Sequence, residues 1–311
     1  MIDYLDEDVG YFLGMLVARG TISESSGTKR VVIEFPFKNL RVVGIRKKIV
    51  QKDKLLLSIM AVRSRIDELS DFNIRPVENE YSVSITFESL KNTVFWRDLK
   101  LFMGAGDSYL NFLIPEQIFE ADTSIKKEFV RGFADVAGSA RKANNYMGRV
   151  MRVYLDVLNQ NWKLVPQLCH LIQDHLNVPI HSVAYGHPNI RDPEVIEYNA
   201  GRREAWAREH QIKILADEFL KIGFYMKHKQ EILEELAEHN RSLNFQANFC
   251  NPPKEIKKRK DGHPGESSEK LPTEIRGKHY DSYWQICADL GCYRYRRYRE
   301  AQTTLDQTGV E

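Results

Sequence analysis

What this sequence has little of narrows its class before any motif is read. Four cysteines in 311 residues are too few for a disulfide scaffold and fit a reducing compartment. No run of eighteen apolar residues occurs, so no segment reads as a membrane span. The opening Met1-Ile-Asp-Tyr-Leu-Asp-Glu-Asp8 is too acidic for a secretory signal or a transit peptide. A cytoplasmic protein is expected. Charge of one sign is also scarce: 45 Lys and Arg against 43 Asp and Glu leave a formal +2. That excludes a blanket polycation, so a nucleic-acid surface must come from gathering positive charge onto one face. Nucleotide-binding glycine loops, nucleophile elbows and tight metal spacings are missing, which leaves most enzyme classes without a starting point.

What is there is an ordinary globular composition, 42% hydrophobic and 28% charged, in a chain long enough for a sizeable core. It contains one stretch twice. Tyr11-Phe-Leu-Gly-Met-Leu-Val-Ala-Arg-Gly20 is echoed by Phe129-Val-Arg-Gly-Phe-Ala-Asp-Val-Ala-Gly138, with Gly14 over Gly132 and Gly20 over Gly138, the same shift of 118 residues. Each copy reads as an apolar, small-residue helix that stops at a glycine, and two copies opening segments of similar layout indicate an internal duplication. Gly10, Gly14 and Ala18 recur every fourth residue as a smooth strip. Interior glycines cost roughly 1 kcal/mol each relative to Ala, and a close helix–helix contact is the natural compensation; an ordinary amphipathic helix with two tolerated glycines is the plainer alternative.

Taken in order, Asp6 can cap a first helix over Glu7–Arg19. Lys29–Phe37 and Tyr81–Phe87 alternate as half-buried strands. Helix is expected over 40–70, broken near Lys52-Asp53, and over Leu90–Met103. Ser124 can cap the second motif helix. A hairpin follows over Ser139–Asn144 and Arg149–Leu158, then a helix over Trp162–His175, strands at His181–Tyr185 and Glu209–Leu215, and helices at Ala216–Ile222 and Lys227–Glu238. This repeats the order of the first half. From 244 onward the composition shifts: Pro252-Pro253 and a basic cluster, Lys257, Lys258, Arg259 and Lys260, mark a linker. Tyr280–Tyr298 then reads as a short helix or small module in which Arg294, Arg296 and Arg297 alternate with tyrosines.

The doubled motif resembles the LAGLIDADG family, which includes homing endonucleases, RNA maturases and non-cleaving DNA-binding relatives such as the sporulation regulator WhiA. The resemblance covers about residues 8 to 240. It implies an α+β fold of two αββαββα halves on a pseudo-two-fold axis, here 1–115 and 116–243, with a C-terminal extension at 244–311. It implies antiparallel sheets forming a saddle for the DNA major groove. In that family the acidic residue before the final Gly of each motif holds the catalytic metal. Those positions are Arg19 and Ala137 here. The earlier motif Asp is Val17 in the first copy and survives only as Asp135 in the second. A guanidinium repels a divalent cation but grips phosphate, so binding by a monomer without Mg²⁺-dependent cutting is expected, with no cofactor. Asp135 reads as packing or capping; a displaced metal site using Asp135, Glu34 or Asp156 is the alternative.

A two-stranded ribbon fits the major groove, and every second side chain can reach base edges. The candidates are Arg30, Ser82, Ser84, Thr86, Arg141, Lys142, Arg149, Arg152, Tyr154, Gln211 and Lys213, with solvated strand faces as the plain alternative. The basic cluster and the tail arginines can add phosphate contacts. Cys250, His279, Cys287 and Cys292 could supply four zinc ligands, although their spacing suits ordinary thiols as well. His170, His175, His181 and His210 read as structural. The expected partner is double-stranded DNA, with a separate nuclease or regulatory subunit to use the binding. An active endonuclease with relocated Mg²⁺ ligands and an RNA maturase-like protein are the competing functions.

Overall fold

Asp6 begins the first helix as the sequence implies: its Oδ1 accepts the Val9 backbone N–H at 2.8 Å, and α1 runs over Glu7–Arg19. The computed structural model describes residues 5–40, 52–69, 73–90, 93–142, 150–158, 160–188, 208–243, 273–275 and 278–280. Every residue of α1 from Val9 to Arg19 is buried, which an amphipathic surface helix would not permit. On one flank lies its own sheet, with Phe12 edge-on to Phe87 at 5.4 Å. On the other lies α6, Thr123–Ala137, the second motif helix.

Between them the first half adds β1 (Gly20–Ser25), β2 (Thr28–Pro36), α2 (Phe37–Leu40), α3 (Lys52–Ile66), β3 (Asn73–Glu78), β4 (Ser82–Ser89), α4 (Val94–Met103) and the connector helix α5 (Glu116–Glu120). After α6 the second half adds β5 (Gly138–Lys142), β6 (Met151–Leu158), α7 (Leu164–His170) with a π-helical turn at Leu171–His175, β7 (Ile180–Pro188), β8 (Arg208–Leu215), α8 (Ala216–Phe219) and α9 (Lys227–Ser242). The sheets are antiparallel, ordered β1-β2-β4-β3 and β5-β6-β8-β7. Replacing each strand by its counterpart turns one order into the other, so the α+β, twofold-repeated architecture expected from the doubled motif is the one present. Val31, Ile33, Phe35, Ile85 and Phe87 on one sheet and Val153, Leu155, Ile212 and Ile214 on the other are all fully buried, and their apolar alternation fixes which face meets the helices. A separate hairpin pairs β9 (Thr273–Ile275) with β10 (Lys278–Tyr280).

Two strands escaped the sequence pattern for identifiable reasons. β1 ends in Ser-Glu-Ser and joins β2 through Ser26 (φ 49°) and Gly27 (φ 79°), a two-residue turn with both centres left-handed that is usually signalled by Asn-Gly. β3 contains Pro76, tolerated because β3 is an edge strand. Two expectations are corrected. The N-cap of α6 is Asp122, not Ser124. The helix expected over Trp162–His175 begins at Leu164 and leaves α geometry at Leu171. Tyr280 ends a strand, and the rest of the helix or small module expected over Tyr280–Tyr298 lies outside the described residues.

The helix crossing follows from glycine. A Cβ on Gly14 would overlap the carbonyl oxygen of Phe129, and a Cβ on Gly132 would overlap that of Tyr11. The motif shift carries Gly14 to Gly132 and Tyr11 to Phe129, so the two contacts are images of each other, the signature of a two-fold interface. Gly14→Ala and Gly132→Ala should each cost more than the ~1–3 kcal/mol usual for overpacking, overriding the ~1 kcal/mol that helix propensity returns. At Gly10 the added Cβ would stand 3.0 Å from the Ile125 side chain and carbonyl, so Gly10→Ala should cost markedly less. Urea unfolding of the three variants checks the ranking; equal costs would refute the backbone-to-backbone crossing.

Candidate nucleic-acid interface

Both motif helices end on a glycine that opens a strand, Gly20 for β1 and Gly138 for β5. Residues 19 and 137 therefore stand where the helix pair meets the two sheets. Arg19 is buried, and its Nη2 donates to Glu209 Oε1 at 2.6 Å. Lys38 Nζ donates to the same oxygen at 2.6 Å. Burial is the largest influence and works against the Arg19 charge, but Glu209, Tyr109 and Asp156 together outweigh it and the net direction is up. The result is a buried ion group with both cations from the first half and the acid from the second. Breaking such a group by removing one partner typically costs about 3–5 kcal/mol.

On the other side, Ala137 offers only its carbonyl, which accepts from Asn39 Nδ2 at 3.0 Å. The same amide donates to Asp156 Oδ2 at 3.1 Å, and Gln211 Nε2 donates to Asp156 Oδ1 at 2.9 Å. Buried oxygens remain without hydrogen-bond partners among the described residues: Asn39 Oδ1, Ser139 Oγ, Glu209 Oε2 and Gln211 Oε1. Such atoms call for a water, a donor from a ligand or a hard cation.

Asp135 does other work. It is fully buried and accepts the Tyr11 hydroxyl at 2.8 Å and the backbone N–H groups of Tyr225 and Met226 at 3.1 and 3.3 Å, the last two residues before α9. Burial raises its pKa to about 6 against the pull of Lys229. Lys229 Nζ in turn donates to the carbonyls of Ala134, Asp135 and Gly138 at 3.2, 2.7 and 2.8 Å, satisfying oxygens that the end of α6 leaves open.

The polar face of the second sheet carries the densest positive charge. Register places Arg141 beside Arg152 and sets Tyr154 between Ser139 and Lys213. The Arg141 guanidinium lies 4.0 Å from the Tyr154 ring centroid, that of Arg152 5.5 Å, and Lys213 Nζ 5.8 Å, within cation–π range. Arg152 Nη1 also meets His181 Nδ1 at 3.3 Å. Burial, then repulsion from Arg152 and Arg141, pulls the Lys213 pKa down to about 8, with Asp156 opposing. On the first sheet Arg30 is exposed and paired with Glu88 at 2.8 Å.

One expectation about these faces does not hold. Their polar alternation implies open, solvated faces, yet Ser82, Ser84, Thr86, Arg152, Tyr154 and Gln211 are buried. Part of the reason is visible: the cations fold over Tyr154, Gln211 turns onto Asp156, and Asn79 Nδ2 reaches Ser84 Oγ at 3.3 Å. Lys142 lies in β5 opposite Met151. Arg149, Lys257, Lys258, Arg259, Lys260, Arg294, Arg296 and Arg297 lie outside the described residues, as do Cys250, Cys287 and Cys292 of the zinc set; His279 is the middle residue of β10. Among the described residues no three His, Cys, Asp or Glu gather as a metal site, and no helix is long and apolar enough to cross a membrane. Lys38, Asn39, Glu209 and Lys229 were missed. Only Glu209 had a readable signal, since it continues by two the alternation of Gln211 and Lys213.

The charge cluster has a measurable cost. The folded pKa of Lys213, about 8, lies below the unfolded lysine value of about 10.4, so the native state gives up this proton first. Between those values the unfolded state holds more protons and stability rises with pH. Lys213→Met, which keeps the packed stem, should be more stable than wild type at pH 7 and lose that advantage above pH about 10. Urea midpoints at several pH values read this out; a variant less stable at pH 7 would contradict the cost of burying this charge beside Arg152 and Arg141.

No family model matches the chain, and no curated protein matches it. Among solved structures, the homing endonuclease I-DmoI in complex with DNA and Mn is similar at 15% identity and a TM-score of 0.36, covering 72% of this chain and 96% of that one. Mesophilic variants of I-DmoI give 13%, a TM-score of 0.39, and coverage of 75% and 96%. The N-terminal LAGLIDADG domain of DUF199/WhiA gives 12%, a TM-score of 0.37, and coverage of 74% and 82%. The fold is LAGLIDADG-like, as its own glycine-crossed helix pair and twice-repeated strand order establish.

Proposed function

We propose that this chain is a cytoplasmic, monomeric, sequence-specific double-stranded DNA-binding protein that uses the two sheet faces in the major groove and does not cut at the motif positions. It would serve as the recognition part of a restriction, mobile-element or regulatory system, with a separate nuclease or regulatory subunit acting on the bound site. The observation that carries the reading is the group Arg141, Arg152 and Lys213 around Tyr154. Three cations held together over one ring, with Asp156 the acid opposing them at Lys213, lower their own energy by taking up phosphate. The motif positions do not fit Mg²⁺: Arg19 brings a positive charge already paired to Glu209, and Ala137 has no side-chain oxygen. The duplex must uncover Arg152, Tyr154 and Gln211 as it binds, because the free chain buries them.

Selection from a random duplex library in chelator, repeated in Mg²⁺ and in Mn²⁺, tests this directly. A defined duplex site without strand breaks is the expected result; preference for structured RNA over that duplex would replace the reading with a maturase-like one. On the selected site, Arg141→Gln and Lys213→Gln should each weaken binding and flatten the salt dependence by about one unit of log–log slope per lost phosphate contact. Unchanged affinity and slope in both would remove the sheet face from the interface.

An endonuclease with relocated ligands is the second reading. It is favoured by the oxygens without partners at Asn39, Glu209 and Gln211 beside Asp156. Discrete cuts in Mg²⁺ that vanish in Asp156→Asn would establish it over the first.

A further inference from the structure

Away from the sheet faces, at the end of α7, two imidazoles and a carboxylate lie in hydrogen-bond contact. We infer that His170 and His175 form a two-histidine site for a transition-metal ion of the imidazole-preferring class, Zn²⁺ first, with Asp174 orienting His170 and water completing the shell.

The geometry begins with the backbone. At 100° per residue, positions five apart in an α-helix point to different sides. The chain leaves α geometry at Leu171–His175, with Leu176 N–H bonding back to Leu171 C=O at 3.1 Å, and this wider turn brings residues 170 and 175 to one side. Single π turns of this kind cost backbone regularity and occur often at functional sites. Their Nε2 atoms are 3.3 Å apart. Two Zn–N bonds of about 2.0–2.1 Å at a tetrahedral angle put the nitrogens roughly 3.3–3.4 Å apart, whereas a square-planar ion would draw them closer. In the free chain the two Nε2 atoms share a bent N–H···N bond, with the rings at 81° and their centroids 4.8 Å apart, and an ion would take the place of the shared proton.

The surroundings agree. His170 Nδ1 meets Asp174 Oδ2 at 2.7 Å, the carboxylate–imidazole contact that fixes the tautomer with the Nε2 lone pair turned toward His175. Phe119 of α5 packs on both rings, 5.6 and 5.7 Å between centroids, and limits their rotation. Lys126 of α6 opposes a divalent ion, and Asp174 offsets it. The His170 side chain is 42% exposed, which gives entry. With two protein ligands and no third among the described residues, binding weaker than at a three- or four-ligand zinc site is expected.

The test uses the full chain, stripped with chelator and titrated with zinc sulfate by calorimetry. His170→Gln and His175→Gln, each checked for an unchanged melting curve in chelator, should bind one ion fewer than wild type. Asp174→Asn should weaken that same binding event by about 10- to 100-fold. Zinc held at the C-terminal cysteines would persist in all four proteins and so cancels. Equal ion counts and affinities in wild type and both histidine variants would overturn the inference. Within wild type alone, both imidazole ¹⁵N signals should move as zinc is added; rings that stay still would overturn it as well.

Discussion

Contact between two backbones governs this structure. Gly14 and Gly132 let α1 and α6 approach until carbonyl oxygens fill the places where Cβ atoms would be. Everything else is arranged around that crossing. Each helix carries its own four-stranded sheet directly from its terminal glycine, so the crossing sets how the sheets face each other. It also buries α1 on every side, which explains why a helix with interior glycines, each intrinsically destabilising by about 1 kcal/mol, is nonetheless the centre of the core.

The polar groups at the foot of that crossing divide into two kinds. Some are satisfied within the protein: Glu209 by Arg19 and Lys38, Asp135 by Tyr11 and the start of α9, and the end of α6 by Lys229. They hold one half against the other. Others are left in tension. Arg141, Arg152 and Lys213 crowd one ring, the amide oxygens of Asn39 and Gln211 and the Ser139 hydroxyl go without a described partner, and so does the second oxygen of Glu209. Internal stability does not call for such an arrangement. Under the proposed reading these are the groups that a nucleic-acid phosphate would meet.

How much of this was legible depended on the range of the interaction. The motif glycines, the Asp6 cap and the strands with clean alternation were readable because their signals are local. Phe35 and Phe87 announce their burial by period alone. The edge strand with Pro76 and the Ser26–Gly27 hairpin were not readable, because their turn and edge chemistry departs from the usual signals. At the site, residue types on the sheet faces could be assigned in advance, but their burial could not. Lys38, Asn39 and Lys229 reach their partners from 171, 117 and 94 positions away, and no sequence pattern spans such separations. The π turn at Leu171–His175 was equally silent, since the residues before it read as continuous helix.

The bond from Tyr11 to Asp135 has an asymmetry that reaches beyond stability. Under the motif shift the image of Tyr11 is Phe129 and that of Asp135 is Val17, so the pair that hydrogen-bonds on one side of the axis is replaced by two hydrocarbon side chains on the other. Two first halves brought together would leave a phenol facing valine. Two second halves would seal a carboxylate against phenylalanine, with no hydroxyl to receive it. Neither repeat is therefore suited to self-pairing, and an ancestral homodimer, once fused, could drift to a state in which each half recognises only its unlike twin.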